Sequence, residues 1–321
     1  MVKMNKILII CGPTVTGKTN LGIYLAKNFT GEIISADSRQ VYCGMDIGTG
    51  KFSKDDKVER FDGKLKINDV VVNLVDVCDP KEQFSVSDFV RLAGKEINKL
   101  WQEAKLPIVV GGTGFYLGSL LYGVDTLNIP ADPKLREKLE REYQKAGVES
   151  LYQKLLNLDF KKAKSLNESD RQNPRRLIRA IEVNSAKKPH SGTVGYYSKA
   201  DILEVGLIVP RNYLYKLIDE RVDKRLEQGM VEEVEGLVKN GVSFSRLDQF
   251  GLEYRWIGKF LEGKISKEEM VERLKNDIHD FARRQMVWFK RDCRIHWFDP
   301  KAPNFLKEVE ILVEKWLNMA N

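Results

Sequence analysis

Gly12-Pro13-Thr14-Val15-Thr16-Gly17-Lys18-Thr19 reads as G-x-x-x-x-G-K-[ST], directly after the apolar run KILIIC (6–11) and directly before LGIYLAKNF (21–29). Strand, glycine-bearing loop and helix is the setting in which this motif cradles phosphate. The glycines let backbone N–H groups converge on phosphate oxygens at a helix N-terminus, Lys18 brings a mobile positive charge, and the Thr19 hydroxyl is a candidate ligand for Mg²⁺. The motif specifies phosphate and not the molecule that carries it.

Outward from this loop, GEIISAD (31–37), VVVNLVDV (70–77) and LPIVVGG (106–112) repeat the pattern of a short apolar run followed by sequence of helical length. Alternating strand and helix predicts a parallel sheet covered by helices on both faces. From Asp132 to about Lys188 the chain becomes charged and helix-favouring, with DPKLREKLEREYQKAG and NPRRLIRAIEVNSAKK and no strand between them. ILEVGLIVP (202–210) predicts a return to the sheet, followed by a long helix from about Asn212 to Asn240. A basic helix near 277–292, a strand in RIHWFDP (294–300) and a closing amphipathic helix complete the expectation. The fold class is thus α/β: a P-loop NTPase-like core over 1–123 and 201–321, with an all-helical insertion domain over 124–200.

The 321 residues exclude a small stapled fold, and 42% hydrophobic residues supply a sizeable core. The mean hydropathy of −0.37 and the lack of an apolar run approaching the roughly 18–20 residues of a span predict a soluble chain with no membrane partner. Cys11, Cys43, Cys78 and Cys293 are scattered without a C-x-x-C, which suits reduced core thiols and a cytoplasmic address. Fifty-three Lys and Arg against 46 Asp and Glu leave +7, which permits a polyanionic partner without requiring one.

In a parallel sheet the loops at the strand C-termini gather on one edge, so Asp37, at the end of GEIISAD, faces the phosphate loop as general base or metal ligand. Asp37 with Gln40 three residues on also reads as a capping box, and the residues alone leave both readings open. Lys51 reads as a solvated side chain or one reaching an anion. Leu214, Leu217 and Ile218 form an inward helical stripe that continues to Arg221 and Arg225. An arginine there needs an anion, either a core carboxylate or a bound phosphate. Arg171, Arg175, Arg176 and Arg179 cluster where Asn173 caps and Pro174 starts a helix. Arg283, Arg284, Lys290, Arg291 and Arg294 interleave with Trp288, Phe289 and Trp297, a mixture suited to phosphate contact and base stacking.

GPTVTGKT, DSRQVYCGMDIGTGK (37–51), VGGTGFYL (110–117), DRQNPRRLIRAIE (170–182) and ARRQMVWFK (282–290), in this order, resemble the bacterial tRNA dimethylallyltransferases essentially end to end. The resemblance implies transfer of the dimethylallyl group from dimethylallyl diphosphate to N6 of the adenosine immediately 3′ of the anticodon, with Mg²⁺ and the tRNA anticodon stem-loop as partners. By the same resemblance, Gly12 to Thr19 hold the donor's diphosphate together with Arg221, which separates Arg221 from Arg225. Asp37 matches the general base and Asp37, Ser38, Arg39 and Gln40 the adenosine-binding turn. Thr113, Arg136, Arg175, Arg176, Arg179, Arg283, Arg284, Gln285 and Lys290 match tRNA-contacting positions. The catalytic set so implied is Asp37, Lys18, Thr19 and Arg221, in a chain expected to be a monomer.

Departures from the family pattern are local. Val15 and Thr16 stand where Ala and Ser are usual, Asn73 where His is frequent, and Phe52 where Pro is frequent. GLEYR (251–255) replaces the commoner G-Y-K/R, and no contact is carried over from Gln249 to Arg255. The rival readings are a P-loop kinase of a small molecule or nucleotide, an adenine-nucleotide isopentenyltransferase, and a non-catalytic RNA-binding module. The first has no use for arginine stripes.

Overall fold

The computed structural model describes residues 5–61, 63–124, 126–127, 129–186, 197 and 200–319. The elements in chain order are β1 (Lys6–Cys11), α1 (Lys18–Asn28), β2 (Gly31–Ser35), β3 (Val58–Phe61), β4 (Lys64–Ile67), β5 (Val70–Asn73), α2 (Val86–Gln102), β6 (Leu106–Val110) and α3 (Gly114–Tyr122). A helical run follows: α4 (Pro133–Leu158), α5 (Phe160–Ser165), α6 (Glu168–Arg171) and α7 (Pro174–Ser185). The chain then forms β7 (Asp201–Leu207), α8 (Arg211–Glu227), α9 (Met230–Lys239), α10 (Phe244–Phe250), α11 (Leu252–Leu261), α12 (Lys267–Phe289), β8 (His296–Phe298) and α13 (Phe305–Asn318). These group into two compact units, residues 1–122 with 196–321, and residues 123–195.

Among the described residues of the first unit, eight strands form one sheet in the order β3-β4-β5-β2-β6-β1-β7-β8. β1 lies between β6 and β7, parallel to both, and is buried throughout because its neighbours and the covering helices leave no face to water. Leu21 and Leu25 of α1 and Val309 and Val313 of α13 close one side of the sheet against Leu8, Ile10, Ile108 and Val205. α2 packs on β2 and β6, its start set by a complete capping box between Ser85 and Asp88. A second core joins α8 to α12 with Val41, Tyr42 and Met45, so the loop following β2 is seated on those helices.

Several expectations need correction. The sheet is mixed, because β3 and β4 form an antiparallel hairpin that continues onto β5. Their short, half-exposed VERF and KLKI carry little of the apolar signal that marks buried strands. In VVVNLVDV the regular strand ends at Asn73, because Leu74 and Asp76 turn into positive φ, and Asp76 and Val77 then donate to Gln40 O and Val41 O. The long helix expected over 212–240 breaks at Gly229, whose φ of 95° ends α8 and starts α9. The basic helix begins ten residues earlier than expected, at Lys267, where the Ser266 side chain accepts from the Glu269 N–H. Cys43 and Cys293 are exposed, while Cys11 and Cys78 lie in the core.

The second unit packs α4 to α7 on Leu139, Leu151, Leu155, Leu177, Ile178 and Ile181. α4 changes direction at Gly147, where φ is 75°. Asn173 caps α7 through the Arg176 N–H and Pro174 is its first residue, as the sequence predicts. The end of the expected helical stretch, residues 187–188, lies outside the described residues.

Candidate functional site

The C-terminal ends of three adjacent strands carry the three loops read from the sequence: 12–17 after β1, 111–113 after β6, and 36–40 after β2. Close approach of these loops depends on absent side chains. A Cβ on Gly12 would fall 2.5 Å from the Leu207 carbonyl oxygen, and one on Gly111 would fall 2.2 Å from that of Ala36. Within the phosphate loop the Thr16 hydroxyl donates to Pro13 O at 2.9 Å and Lys18 Nζ to the same oxygen at 2.5 Å. The Thr19 hydroxyl makes no hydrogen bond among the described residues.

Asp37 forms a local turn and not the reciprocal capping box. Its Oδ1 accepts from the N–H groups of Arg39 at 2.9 Å and Gln40 at 3.3 Å, closing an Asx turn. The Gln40 side chain does not return to Asp37; it accepts from the Ser35 hydroxyl at 2.8 Å and donates to Gly50 O at 3.3 Å. The turn therefore engages one carboxylate oxygen and holds the other in a fixed direction. Thr113 Oγ1 accepts from the Ser38 N–H at 3.2 Å, tying the β6 loop to this turn.

Four cations converge here: Lys18, Arg39, Arg221 and Arg225. Arg39 pairs with Glu253 at 2.5 Å, and Arg225 pairs with the other oxygen of Glu253 at 3.3 Å while donating to Gly48 O at 2.9 Å. Lys18 and Arg221 have no carboxylate pair among the described residues. Burial pushes Lys18 down to about 8, reinforced by Arg221 and opposed by Asp37. Burial likewise lowers Arg221 to about 9, with Arg225 adding to it and Glu253 opposing. Both groups are poised to gain from an arriving anion. Arg225, the alternative to Arg221 in the sequence reading, is thus the member of the pair that meets a core carboxylate.

The loop from Met45 to Lys51 is locked from two sides. Glu233 accepts from the N–H groups of Asp46, Ile47 and Gly48 at 2.8, 2.6 and 3.1 Å, and from the Tyr254 hydroxyl at 2.9 Å. Lys51, expected as solvated or anion-reaching, is instead buried and paired with Asp46 and Asp76. Glu253, Tyr254 and Glu233 were not legible as site residues. A Glu-Tyr pair on an amphipathic helix carries no motif, and its partners are remote in sequence.

Gln285 is drawn inward: its Oε1 accepts from the Thr14 N–H at 2.9 Å and its Nε2 donates to Gly112 O at 2.9 Å. It braces the phosphate loop against the β6 loop, which removes both its polar atoms from the solvent-facing set. Around it α12 presents Arg283, Arg284 and Lys290 to solvent, beside Trp288, 42% exposed, and Phe115, 46% exposed, whose rings meet edge to face at 6.4 Å. In the helical unit Arg175 and Arg176 are exposed, Arg176 beside Asp170. Arg136 and Arg179 both bind the buried Glu182, and Arg179 also donates to Thr126 O and Ile129 O.

Comparison with known proteins identifies relatives over nearly the whole chain. Residues 40–292 match the family model described as IPP transferase, and residues 5–62 match isopentenyl transferase. The chain is 39% identical to tRNA dimethylallyltransferase 1 of Geotalea daltonii over 95% of its length and 94% of that protein. It is 40% identical to the tRNA dimethylallyltransferase of Acetivibrio thermocellus, covering 92% of each. The solved full-length tRNA isopentenylpyrophosphate transferase of Bacillus halodurans superposes with a TM-score of 0.68 at 32% identity, over 98% of this chain and 97% of that one. A eukaryotic dimethylallyltransferase solved acting on tRNA shares the fold, with a TM-score of 0.73 at 23% identity over 97% of this chain and 78% of its own.

Proposed function

The chain belongs to the IPP transferase family of tRNA dimethylallyltransferases, and from that premise we propose how its own residues divide the reaction. The protein is a prenyltransferase that acts on tRNA. The acceptor is N6 of the adenosine immediately 3′ of the anticodon, in tRNAs reading codons that start with uridine, the donor is dimethylallyl diphosphate, and diphosphate leaves. The protein works as a cytoplasmic monomer. Among the described residues, no helix is long and apolar enough to cross a membrane.

In this reading the N–H groups of the 12–19 loop, Lys18 and Arg221 hold the donor's diphosphate. As the allylic C–O bond breaks, negative charge grows on that leaving group, where preorganised donors act most strongly. The exocyclic amine is a weak nucleophile because its lone pair is delocalised into the ring. Asp37, through the oxygen not engaged in its turn, takes the N6 proton as the C–N bond forms. The adenosine leaves the anticodon-loop stack to reach that oxygen, received by the Asp37–Gln40 turn and Thr113. Thr19, a hard oxygen donor with no internal hydrogen bond among the described residues, suits Mg²⁺, which when bound with the diphosphate would neutralise charge on it. Arg283, Arg284 and Lys290 beside Trp288, and Arg175 and Arg176, provide phosphate contact and stacking; Arg136, Arg179 and Gln285 shape the surfaces from within.

The observation that carries this reading is the pair Lys18 and Arg221, two buried-side cations at the P-loop without a carboxylate pair among the described residues, with Asp37 in electrostatic reach of both. The test is to mix protein, Mg²⁺, unmodified tRNA and either dimethylallyl diphosphate or ATP, then identify the nucleosides by mass spectrometry. A dimethylallyl adduct on adenosine with the first donor is expected, and phosphorylation with ATP would overturn it.

A further inference from the structure

Glu253 lies in the segment where the chain departs from the family pattern, and it is 3% exposed. One carboxylate oxygen meets Arg39 and the other meets Arg225. Burial works against its charge, but the two arginines more than offset this and hold the carboxyl below its ordinary range. Arg225 and Arg221 lie side by side over Gly50, where an added Cβ would meet Nη2 of Arg225 at 1.8 Å and Nη2 of Arg221 at 3.0 Å. The guanidinium that Glu253 holds is therefore the immediate neighbour of the one left for ligand. The backbone cradle itself accepts diphosphate and triphosphate groups alike, so the number of cations available beside it sets which is preferred.

We infer that Glu253 is a specificity-determining residue: by holding Arg39 and Arg225 it confines the cradle's mobile cations to Lys18 and Arg221, matching the site to a diphosphate and against a triphosphate. This rests on the transferase reading only for the identity of the diphosphate donor. A guanidinium freed from Glu253 would reach the extra phosphate with charge-assisted, bidentate hydrogen bonds.

The test is calorimetric binding of inorganic pyrophosphate and inorganic tripolyphosphate to the full chain at pH 7, which requires no turnover and so fails independently of the prenylation assay. Wild type is expected to bind pyrophosphate at least as tightly as tripolyphosphate. Glu253→Gln is expected to shift that ratio toward tripolyphosphate by about tenfold or more, the scale of one charged hydrogen bond. Glu253→Asp, which keeps the charge, is expected to stay near the wild-type ratio. Arg225→Gln leaves Glu253 with one partner fewer beside Arg221, and is expected to move the ratio the opposite way. A purely structural role would weaken both anions together in all variants, and an unchanged ratio overturns the inference. Should Glu253→Gln fail to fold, an unchanged ratio in Arg225→Gln overturns it alone.

Discussion

Glu253 in the α/β unit and Glu182 in the helical unit are the same device in two settings. Each is a buried carboxylate between two arginines, Arg39 and Arg225 in one case and Arg136 and Arg179 in the other. Around Glu182 the arrangement closes on itself. Asp132 N–H donates to it at 2.6 Å, and Arg179 satisfies the Thr126 and Ile129 carbonyls at 2.9 and 2.8 Å. Around Glu253 two more cations, Lys18 and Arg221, stand without carboxylate pairs among the described residues. A carboxylate between arginines is a staple where both arginines are engaged by it, and part of a binding site where further cations beside it are not paired.

The comparison breaks most sharply at Asp37, the carboxylate beside the open cluster. Asp37→Ala is expected to lower single-turnover prenylation by roughly 10²–10⁴, the range of a lost general base, while tRNA still binds. Near-normal turnover would remove Asp37 from the chemistry. At the closed cluster, Glu182→Ala leaves two arginines without their shared acceptor and is expected to destabilise the helical unit by about 3 kcal/mol in chemical denaturation. Pyrophosphate affinity in the same variant should stay within about twofold of wild type, because the phosphate loop belongs to the other unit.

The open cluster should also titrate. Lys18 is lowered to about 8 by burial and Arg221, from an ordinary value of 10.5. Between these pH values the unfolded chain holds the proton and the folded one does not, so its contribution makes the ligand-free protein more stable as pH rises through that window. Bound diphosphate needs the charged form, so pyrophosphate affinity is expected to fall up to about tenfold per pH unit above 8, with proton uptake on binding. Calorimetry in buffers of different ionisation enthalpy measures that uptake, once the protons exchanged by pyrophosphate itself are subtracted, and its absence at pH 8.5 would overturn a Lys18 that is neutral in the free protein and charged in the complex. The smallest effect belongs to the exposed arginines of α7. Replacing Arg175 and Arg176 by Gln is expected to reduce the slope of log affinity for tRNA against log salt by about 1–2, leaving pyrophosphate binding unchanged.

The phosphate loop, the buried strands of the sheet's centre, the cap of α7 and Asp37's place on the sheet edge were legible because each rests on neighbours within a few residues. The β3–β4 hairpin was not, since half-exposed strands of four residues lack an apolar pattern. Gln285 entered only as a tRNA-contacting position implied by family resemblance, and nothing in ARRQMVWFK marks it as facing inward. Its inward turn depends on a helix face meeting Gly112 and Thr14, 173 and 271 residues away. Lys51 read as solvated or anion-reaching because no local pattern marks Asp46, five residues back, or Asp76, 25 residues on, as its buried partners.

By itself the sequence determined that a P-loop pattern stands at the end of the first strand, that a carboxylate stands on the same edge, and that arginines are gathered in stripes. Family resemblance singled out Arg221 over Arg225. Only the tertiary structure showed that Arg225 is the one a core carboxylate engages, because Glu253 is 28 residues from it and 214 from Arg39. Glycines, turns and capping residues act on adjacent backbone and are written locally. The partner of a buried charge is chosen by packing between remote segments, where desolvation makes each pairing decisive.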